Sequence, residues 1–120
     1  MYGDGLNIRE WLYVDDHVDA LIQVANKGLL GSSYCIGSSE EFTNLDVLLL
    51  ICEYLDEYRP THGPHKHLIS SVKDRTGHDW RYSIDSSLIR KQLQWKPSHS
   101  FSEGLKLTVS WFLDNMDWCK

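Results

Sequence analysis

Arginine, histidine and aspartate crowd around one glycine in the run Asp74-Arg75-Thr76-Gly77-His78-Asp79-Trp80-Arg81-Tyr82. A guanidinium fork matches two phosphate oxygens at once, so Arg75 and His78, hinged at Gly77, suit a loop that closes on an anion. The competing reading is a solvated charged loop, the commoner fate of such a run. A second charged cluster, Ile8-Arg9-Glu10-Trp11-Leu12-Tyr13-Val14-Asp15-Asp16-His17, lifts the anion reading. It sets Arg9 in an otherwise apolar strand, where an unpaired guanidinium is costly. An ion pair with Glu10 or Asp15 is what the local sequence favours for Arg9. Asn44 opens a helical repeat and reads first as its N-cap. A helix N-terminus also receives anions, so the two roles are compatible.

Other chemistries lack their residues. Gly3-Asp4-Gly5 leads into strand-like residues rather than a helix, which fails the dinucleotide-binding fingerprint in context and spacing. The chain contains no phosphate-binding P-loop, no Gly-x-Ser-x-Gly and no His-Glu-x-x-His. His62, His65 and His67 have the spacing H-x-x-H-x-H, yet they lie in a Pro- and Gly-rich loop without a nearby carboxylate or thiolate. They read as loop histidines rather than a metal site. His17, at a helix start, reads as a capping or packing residue. Tyr13, Tyr34 and Tyr82 each lack a lysine four residues on, the cation that would lower a catalytic phenol's pKa. They read as amphipathic residues at the core edge.

The 120 residues suit one domain, which can bury roughly two thirds of its unfolded surface. A hydrophobic share of 42% and a charged share of 24% argue against disorder. The formal net charge of −5 disfavours nucleic acid, which needs many cations, but a single diphosphate needs only one or two arginines. Cys35, Cys52 and Cys119 are odd in number and lack ligand spacing. Cys35 and Cys52 read as reduced core thiols, which points to the cytoplasm. No signal peptide is visible at the N-terminus, and the longest apolar run, 47–52, is too short to span a bilayer.

The elements that must position these residues form a mixed α/β chain. Ile8 to Val14 reads as a strand. A helix over 15–27 follows, capped by Asp15, with Val18, Leu21, Ile22 and Ala25 at helical spacing. Tyr34-Cys35-Ile36 reads as a short strand. The helix after Asn44 carries Leu45, Leu48, Leu49, Cys52 and Leu55 as its buried stripe. Short strands are expected at 68–72 and 82–84. A helix from Asp85 or Ser86 to about Leu93 turns Leu88, Ile89 and Leu93 inward. Ser100 and Glu103 form a capping box for a last helix, with Phe101, Leu105, Thr108, Val109, Phe112 and Met116 as its stripe. So few strands are scant for an independent doubly wound sheet, which suggests a part of something larger.

Four separated motifs carry a resemblance over essentially the whole chain. Tyr2-Gly3-Asp4-Gly5 through His17, Gly31-Ser32-Ser33-Tyr34-Cys35-Ile36-Gly37 with Asn44-Leu45-Asp46, Asp74 through Asp85, and Leu93-Gln94-Trp95-Lys96-Pro97 with the final helix resemble the C-terminal third of dTDP-glucose 4,6-dehydratases. These are extended short-chain dehydrogenase/reductase enzymes. In them NAD takes a hydride from C4 of the sugar, water leaves across C5 and C6, and the hydride returns to C6. The resemblance implies a nucleotide-sugar-binding part spanning 1–120, without the N-terminal NAD-binding Rossmann domain, the Tyr-x-x-x-Lys pair or the Thr-Asp-Glu group. It implies that Arg9 and Arg75 grip the diphosphate and that Asn44 hydrogen-bonds the phosphate region. Asp74, Arg75, Thr76, Gly77 and His78 would wrap the nucleotide, and Tyr2 would line the base or ribose. Thr76 replaces the family's usual proline, which lowers the expected preorganisation of the loop, and Cys35 replaces an asparagine.

The chain alone is therefore expected to lack activity and to bind no cofactor itself, NAD belonging to the full-length family. The expected partner is a dTDP-sugar, with no metal, nucleic acid or membrane. Self-association is expected through surface that the Rossmann domain normally covers. Two alternatives stay open: part of another nucleotide-sugar enzyme such as an epimerase, and a non-catalytic interaction module.

Overall fold

The computed structural model describes residues 1–119. Strand β1, Ile8–Glu10, pairs antiparallel with β2, Glu41–Thr43, in the register Ile8↔Thr43, Arg9↔Phe42, Glu10↔Glu41. β1 is shorter than the sequence predicts, because helix α1, Val14–Lys27, already begins at Val14. Tyr13 occupies the N-cap position without a side-chain cap bond, and Asp15 lies in the first turn, where its charge meets the helix dipole. Next to it Asp16 is buried, because its carboxylate binds a distant segment. It accepts the backbone N–H groups of Ser98 and His99 at 3.1 Å each.

No strand forms at 34–36. Tyr34 and Ile36 pack against a core of Ala20, Ile89 and Trp95, together with Leu12, Val24 and Leu93. In an extended segment alternate side chains face opposite ways, so Cys35 is exposed rather than a core thiol. Cys52 is buried as expected. Helix α2, Asn44–Tyr58, is capped by Thr43 and not by Asn44. The Thr43 hydroxyl accepts from the Asp46 N–H at 3.0 Å, and the Asp46 carboxylate accepts from the Thr43 N–H at 3.1 Å. α2 buries Val47, Cys52 and Tyr54, while Leu49 is exposed.

Helix α3, Ser87–Leu93, follows Ser86 and buries Ile89, whereas Leu88 is exposed. Helix α4, Phe101–Asp114, opens with the capping box of Ser100 and Glu103 that the sequence predicts. α4 lies against α2, where the Tyr54 and Ser102 hydroxyls meet at 2.6 Å. It also lies against Tyr13, and a Cβ on Gly104 would come within 2.7 Å of the Tyr13 Cβ. Phe101 stacks on Phe42 at 4.1 Å between ring centroids, which ties α4 to β2. Phe112 and Met116, expected inward, are exposed. Residues 68–72 and 82–84 form no strands; single parallel bridges join Tyr2 to Val72 and Ile8 to Arg81.

The shape is open. The radius of gyration is 17.0 Å, against about 14 Å for a compact domain of this length. α1 explains part of the excess. Its inward residues are Asp16, Ala20 and Val24, while Val18, Leu21 and Ile22, expected to be core, are 45–54% exposed, Ala25 is exposed too, and Val14 at the helix start is 62% exposed. The same apolar edge continues into a groove of ≈ 710 Å³ lined by Trp11, Tyr13, Val14, Leu105, Trp111 and Trp118. Among the described residues, no helix is long and apolar enough to cross a membrane.

Candidate anion-binding site

β1 brings Arg9 against the segment that follows the charged loop. The Arg9 Nη1 donates to the Ile8 carbonyl at 2.6 Å and to the Trp80 carbonyl at 3.4 Å; Nη2 donates to the Asp79 carbonyl at 3.0 Å. The guanidinium carbon sits 4.4 Å from the centroid of the Tyr82 ring. The expected ion pair with Glu10 or Asp15 does not form. Neighbours on a strand face opposite sides, and Glu10 is engaged elsewhere, accepting from the Ser39 N–H at 2.7 Å and the Ile84 N–H at 2.9 Å. Among the described residues, nothing accepts the Arg9 Nε proton or the second Nη2 proton. These two N–H groups, on Nε and Nη2, are what Arg9 has left for anionic oxygens.

The loop 74–78 is closed by its own carboxylate. Asp74 Oδ1 accepts from the Arg75 N–H at 2.9 Å and meets the His78 Nδ1 at 2.8 Å. The His78 bond, foremost, together with the Arg75 N–H, holds the Asp74 carboxyl below the usual range against partial desolvation. The turn passes through Gly77 at φ +72°, a left-handed conformation that favours glycine. Gly3, at φ +56°, lets the N-terminal turn approach, since a Cβ there would lie 3.1 Å from the Asp74 Oδ2. Tyr2 is thereby set beside the loop, with its ring 6.4 Å from the His78 ring and 5.8 Å from the Arg75 guanidinium. The His78 side chain is 5% exposed, walled in by these contacts. No described residue takes up any donor of the Arg75 guanidinium. Closure by Asp74 orders the loop although Thr76, which is exposed, stands in it.

Arg81, the other arginine of the run, is spoken for. It uses its Nε and Nη2 on the Glu41 carboxylate, at 2.8 and 2.5 Å, and so pins the segment to β2. Against the larger, raising effect of the hydrogen bond to Asp79, the charges of Arg9 and Arg75 both act to lower the Tyr82 pKa, so both guanidiniums lie within electrostatic range of that phenol.

Asn44 joins this surface through a residue the sequence did not single out. Asn7, 4% exposed, accepts the Asn44 N–H through its carbonyl at 3.1 Å and donates its side-chain amide to the Asp79 carbonyl at 3.2 Å. One carbonyl, that of Asp79, thus holds both Asn7 and Arg9. An asparagine before a strand carries no local signal for such a role. The N-terminus of α2 offers no free N–H to an anion, contrary to the expectation for it. The N–H of Asn44 goes to Asn7, that of Leu45 to the Gly5 carbonyl at 2.9 Å, and that of Asp46 to Thr43. What Asn44 can offer is its side-chain amide.

The remaining candidates are engaged elsewhere, except Tyr82, which packs on Arg9. His65 meets Asp56 at 2.5 Å, a carboxylate supplied from nine residues earlier, and so fastens the 59–68 loop to α2. Among the described residues, no three His, Cys, Asp or Glu side chains gather as a metal site would require. Burial first, and then Asp15, push the Tyr13 phenol up. The hydrogen bond to Asp79 does the same to Tyr82. Neither phenol is set up as a base. Tyr34 is structural, donating to Gln92 at 2.7 Å and accepting from the Leu29 N–H at 3.0 Å.

The sequence of residues 1–108 matches the family model described as GDP-mannose 4,6 dehydratase. The chain belongs to this family. A dTDP-glucose 4,6-dehydratase of Neisseria meningitidis serogroup B is 44% identical over 122 residues, covering 98% of this chain and 34% of the relative. The crystal structure of the Bacillus anthracis dTDP-glucose 4,6-dehydratase with NAD superposes with a TM-score of 0.82 at 38% identity, covering 98% of this chain and 35% of that one. DesIV, the Streptomyces venezuelae dTDP-glucose 4,6-dehydratase solved with NAD and a second ligand, gives 0.84 at 37% identity, covering 98% and 34%. The chain thus spans about a third of the length of these family members, and its mixed α/β fold is part of their extended short-chain dehydrogenase/reductase fold. NAD is the cofactor in both structures. The glycine turn at 3–5 leads into β1, and its Gly3 and Gly5 N–H groups are bonded to Val72 and Tyr2 carbonyls.

Proposed function

We propose that this chain supplies the nucleotide-diphosphate grip of a dTDP-glucose 4,6-dehydratase. The observation that carries the reading is the pair of open guanidinium edges, Arg9 and Arg75, on one surface with Tyr2 and His78. A diphosphate presents two groups of oxygens, and each charge-assisted contact contributes about 1.5–3 kcal/mol. In this reading Arg9 and Arg75 take the two phosphates, and the Asn44 amide adds a neutral donor. Asp74, Thr76, Gly77 and His78 shape the wall, and Tyr2 offers its half-exposed ring to the base or ribose. The large apolar groove beside α4 is a poorer candidate for the diphosphate, since none of its described lining residues is a cation.

Thymidine is preferred as the nucleoside because the relatives bear that name, whereas the family model is named for a guanosine nucleotide. In this reading the nicotinamide site and the acid/base residues for hydride transfer and water loss come from the rest of such an enzyme, and this chain contributes binding rather than conversion. The apolar edge of α1 and the groove beside it form the face on which the other two thirds of such an enzyme would sit. Without them, a second copy of the chain is the available cover. The fit to relatives named as enzymes of sugar-nucleotide metabolism supports a cytoplasmic setting.

Isothermal titration with thymidine diphosphate, guanosine diphosphate and dTDP-glucose tests the reading. Binding of the thymidine compounds, weakened at least tenfold by Arg75→Ala, supports it. Absence of binding, or equal binding by the Arg75→Ala variant, overturns it. Incubation of the purified chain with dTDP-glucose and NAD is expected to yield no 4-keto-6-deoxy sugar.

A further inference from the structure

The Arg9 guanidinium is held on three sides. Two are the carbonyls of Asp79 and Trp80 and that of Ile8; the third is the face of Tyr82, 4.4 Å away. Tyr82 is itself anchored, because its hydroxyl donates to the Asp79 carboxylate. Asp79 therefore fixes the arginine through its main chain and the tyrosine through its side chain. The ring is 52% exposed, so its position here is not explained by burial in a core. What the stacking does is fix the plane of the guanidinium, and with it the direction of the Nε–H and the second Nη2–H, which have no acceptor among the described residues.

We propose that Tyr82, anchored by Asp79, is a positioning residue for Arg9 that presents the Nε–Nη2 edge to a diphosphate. The proposal rests on the diphosphate reading above. Arginine has a long, rotamer-rich side chain, and a planar fork held in advance loses less freedom when it binds. Tyr82 touches no ligand in this scheme and acts only through Arg9. The other arginine is arranged similarly but more loosely, 5.8 Å from the Tyr2 ring, and lacks the carbonyl contacts that hold Arg9.

A double-mutant cycle on the full chain tests this, with thymidine diphosphate as the probe. Tyr82→Leu is expected to weaken binding about three- to tenfold, the range of an exposed cation–π contact and its orienting effect. Tyr82→Phe, which keeps the face but not the anchor, should lose less. In an Arg9→Ala background, Tyr82→Leu should have no further effect, and affinity for uncharged thymidine should not change in any variant. A full additive loss in the Arg9→Ala background, or an equal loss of thymidine binding, overturns the proposal by showing that Tyr82 acts independently of Arg9. Unchanged affinity in Tyr82→Leu overturns it alone. If the wild-type chain fails to bind thymidine diphosphate, the diphosphate reading falls and the proposal falls with it. Circular dichroism of each variant keeps a folding defect separate from these outcomes.

Discussion

The Asp16 carboxylate on α1 and the His99 ring before α4 meet at 3.1 Å, joining segments 83 residues apart. The same carboxylate accepts the backbone N–H groups of Ser98 and His99, and its side chain is only 5% exposed. Burial pushes the Asp16 carboxyl up, but the His99 ring and the two N–H groups outweigh burial and hold it below the usual range.

Stability should therefore depend on pH with a defined sign. A carboxyl whose folded pKa lies below its unfolded value stabilises the fold above the ordinary aspartate range, about pH 4, and loses that contribution as pH falls through the folded value. Asp16→Asn keeps the shape but gives up charge-assisted acceptance, and should cost about 2 kcal/mol at neutral pH. The deficit should shrink at acid pH, where the wild-type carboxyl is protonated too. Urea unfolding at pH 7 and pH 3 measures both effects, and a deficit that grows on acidification would contradict the assignment.

The two arginines should contribute separately. Arg9 is braced by carbonyls and Arg75 is free, so each is expected to be worth about 10- to 100-fold in thymidine diphosphate affinity. Arg81→Ala, which breaks a pair with Glu41 on the surface, should change affinity far less. Binding should also weaken as salt rises, since salt screens the attraction between the exposed arginines and the anionic ligand. Titrations of the three variants at two ionic strengths check the ranking, and equal losses for Arg75 and Arg81 would undo it.

Residue type disclosed more of this site than residue neighbourhood did. Arg9, Arg75 and His78 were legible because charge beside glycine, or within an apolar strand, is conspicuous. The capping box of Ser100 and Glu103 was legible because it is local. Arg75 stood out beside Gly77, whereas the engagement of Arg81 with Glu41, 40 residues away, had no local signal. Glu10 looked like the partner of Arg9 by adjacency, but the pleat of β1 turns it to Ser39 and Ile84. Asn44 looked like a cap, and Thr43 took that role because Asp46 stands at the reciprocal position. Periodicity on α1 marked Val18, Leu21 and Ile22 as core, whereas the described core uses Ala20 and Val24. A helical period reports an apolar face but not which body covers it.

That uncovered face predicts self-association. Val14, Val18, Leu21 and Ile22 form one stripe, and the neighbouring groove extends it. Contiguous apolar surface of this kind is seldom left in water. Sedimentation velocity over a range of concentrations should show dimer formation by the isolated chain, and Leu21→Glu with Ile22→Glu should return it to monomer. Neither position touches the Arg9–Arg75 surface, so thymidine diphosphate affinity should not change. A monomer at every concentration would remove the second copy as cover.

The turn at Gly77 should report on loop order directly. Its φ of +72° strains any residue with a Cβ, yet a Cβ there would meet nothing within 4 Å. Gly77→Ala therefore tests backbone strain without a clash, at a cost of about 1–2 kcal/mol if the turn is kept. The loop can avoid that cost only by abandoning the turn, which would part Asp74 from His78 and turn Arg75 away from Tyr2. Abandoning the turn should lower thymidine diphosphate affinity several-fold while global stability falls little, because 74–78 lies on the surface; keeping it should lower stability and leave affinity unchanged. Gly77→Asn should do less harm, since asparagine tolerates the left-handed region better than alanine. Comparing affinity with the urea midpoint for both variants separates loop order from overall folding. Undiminished affinity together with an unchanged urea midpoint would mean that the turn was abandoned without effect and that the Asp74–His78 closure does not shape the site.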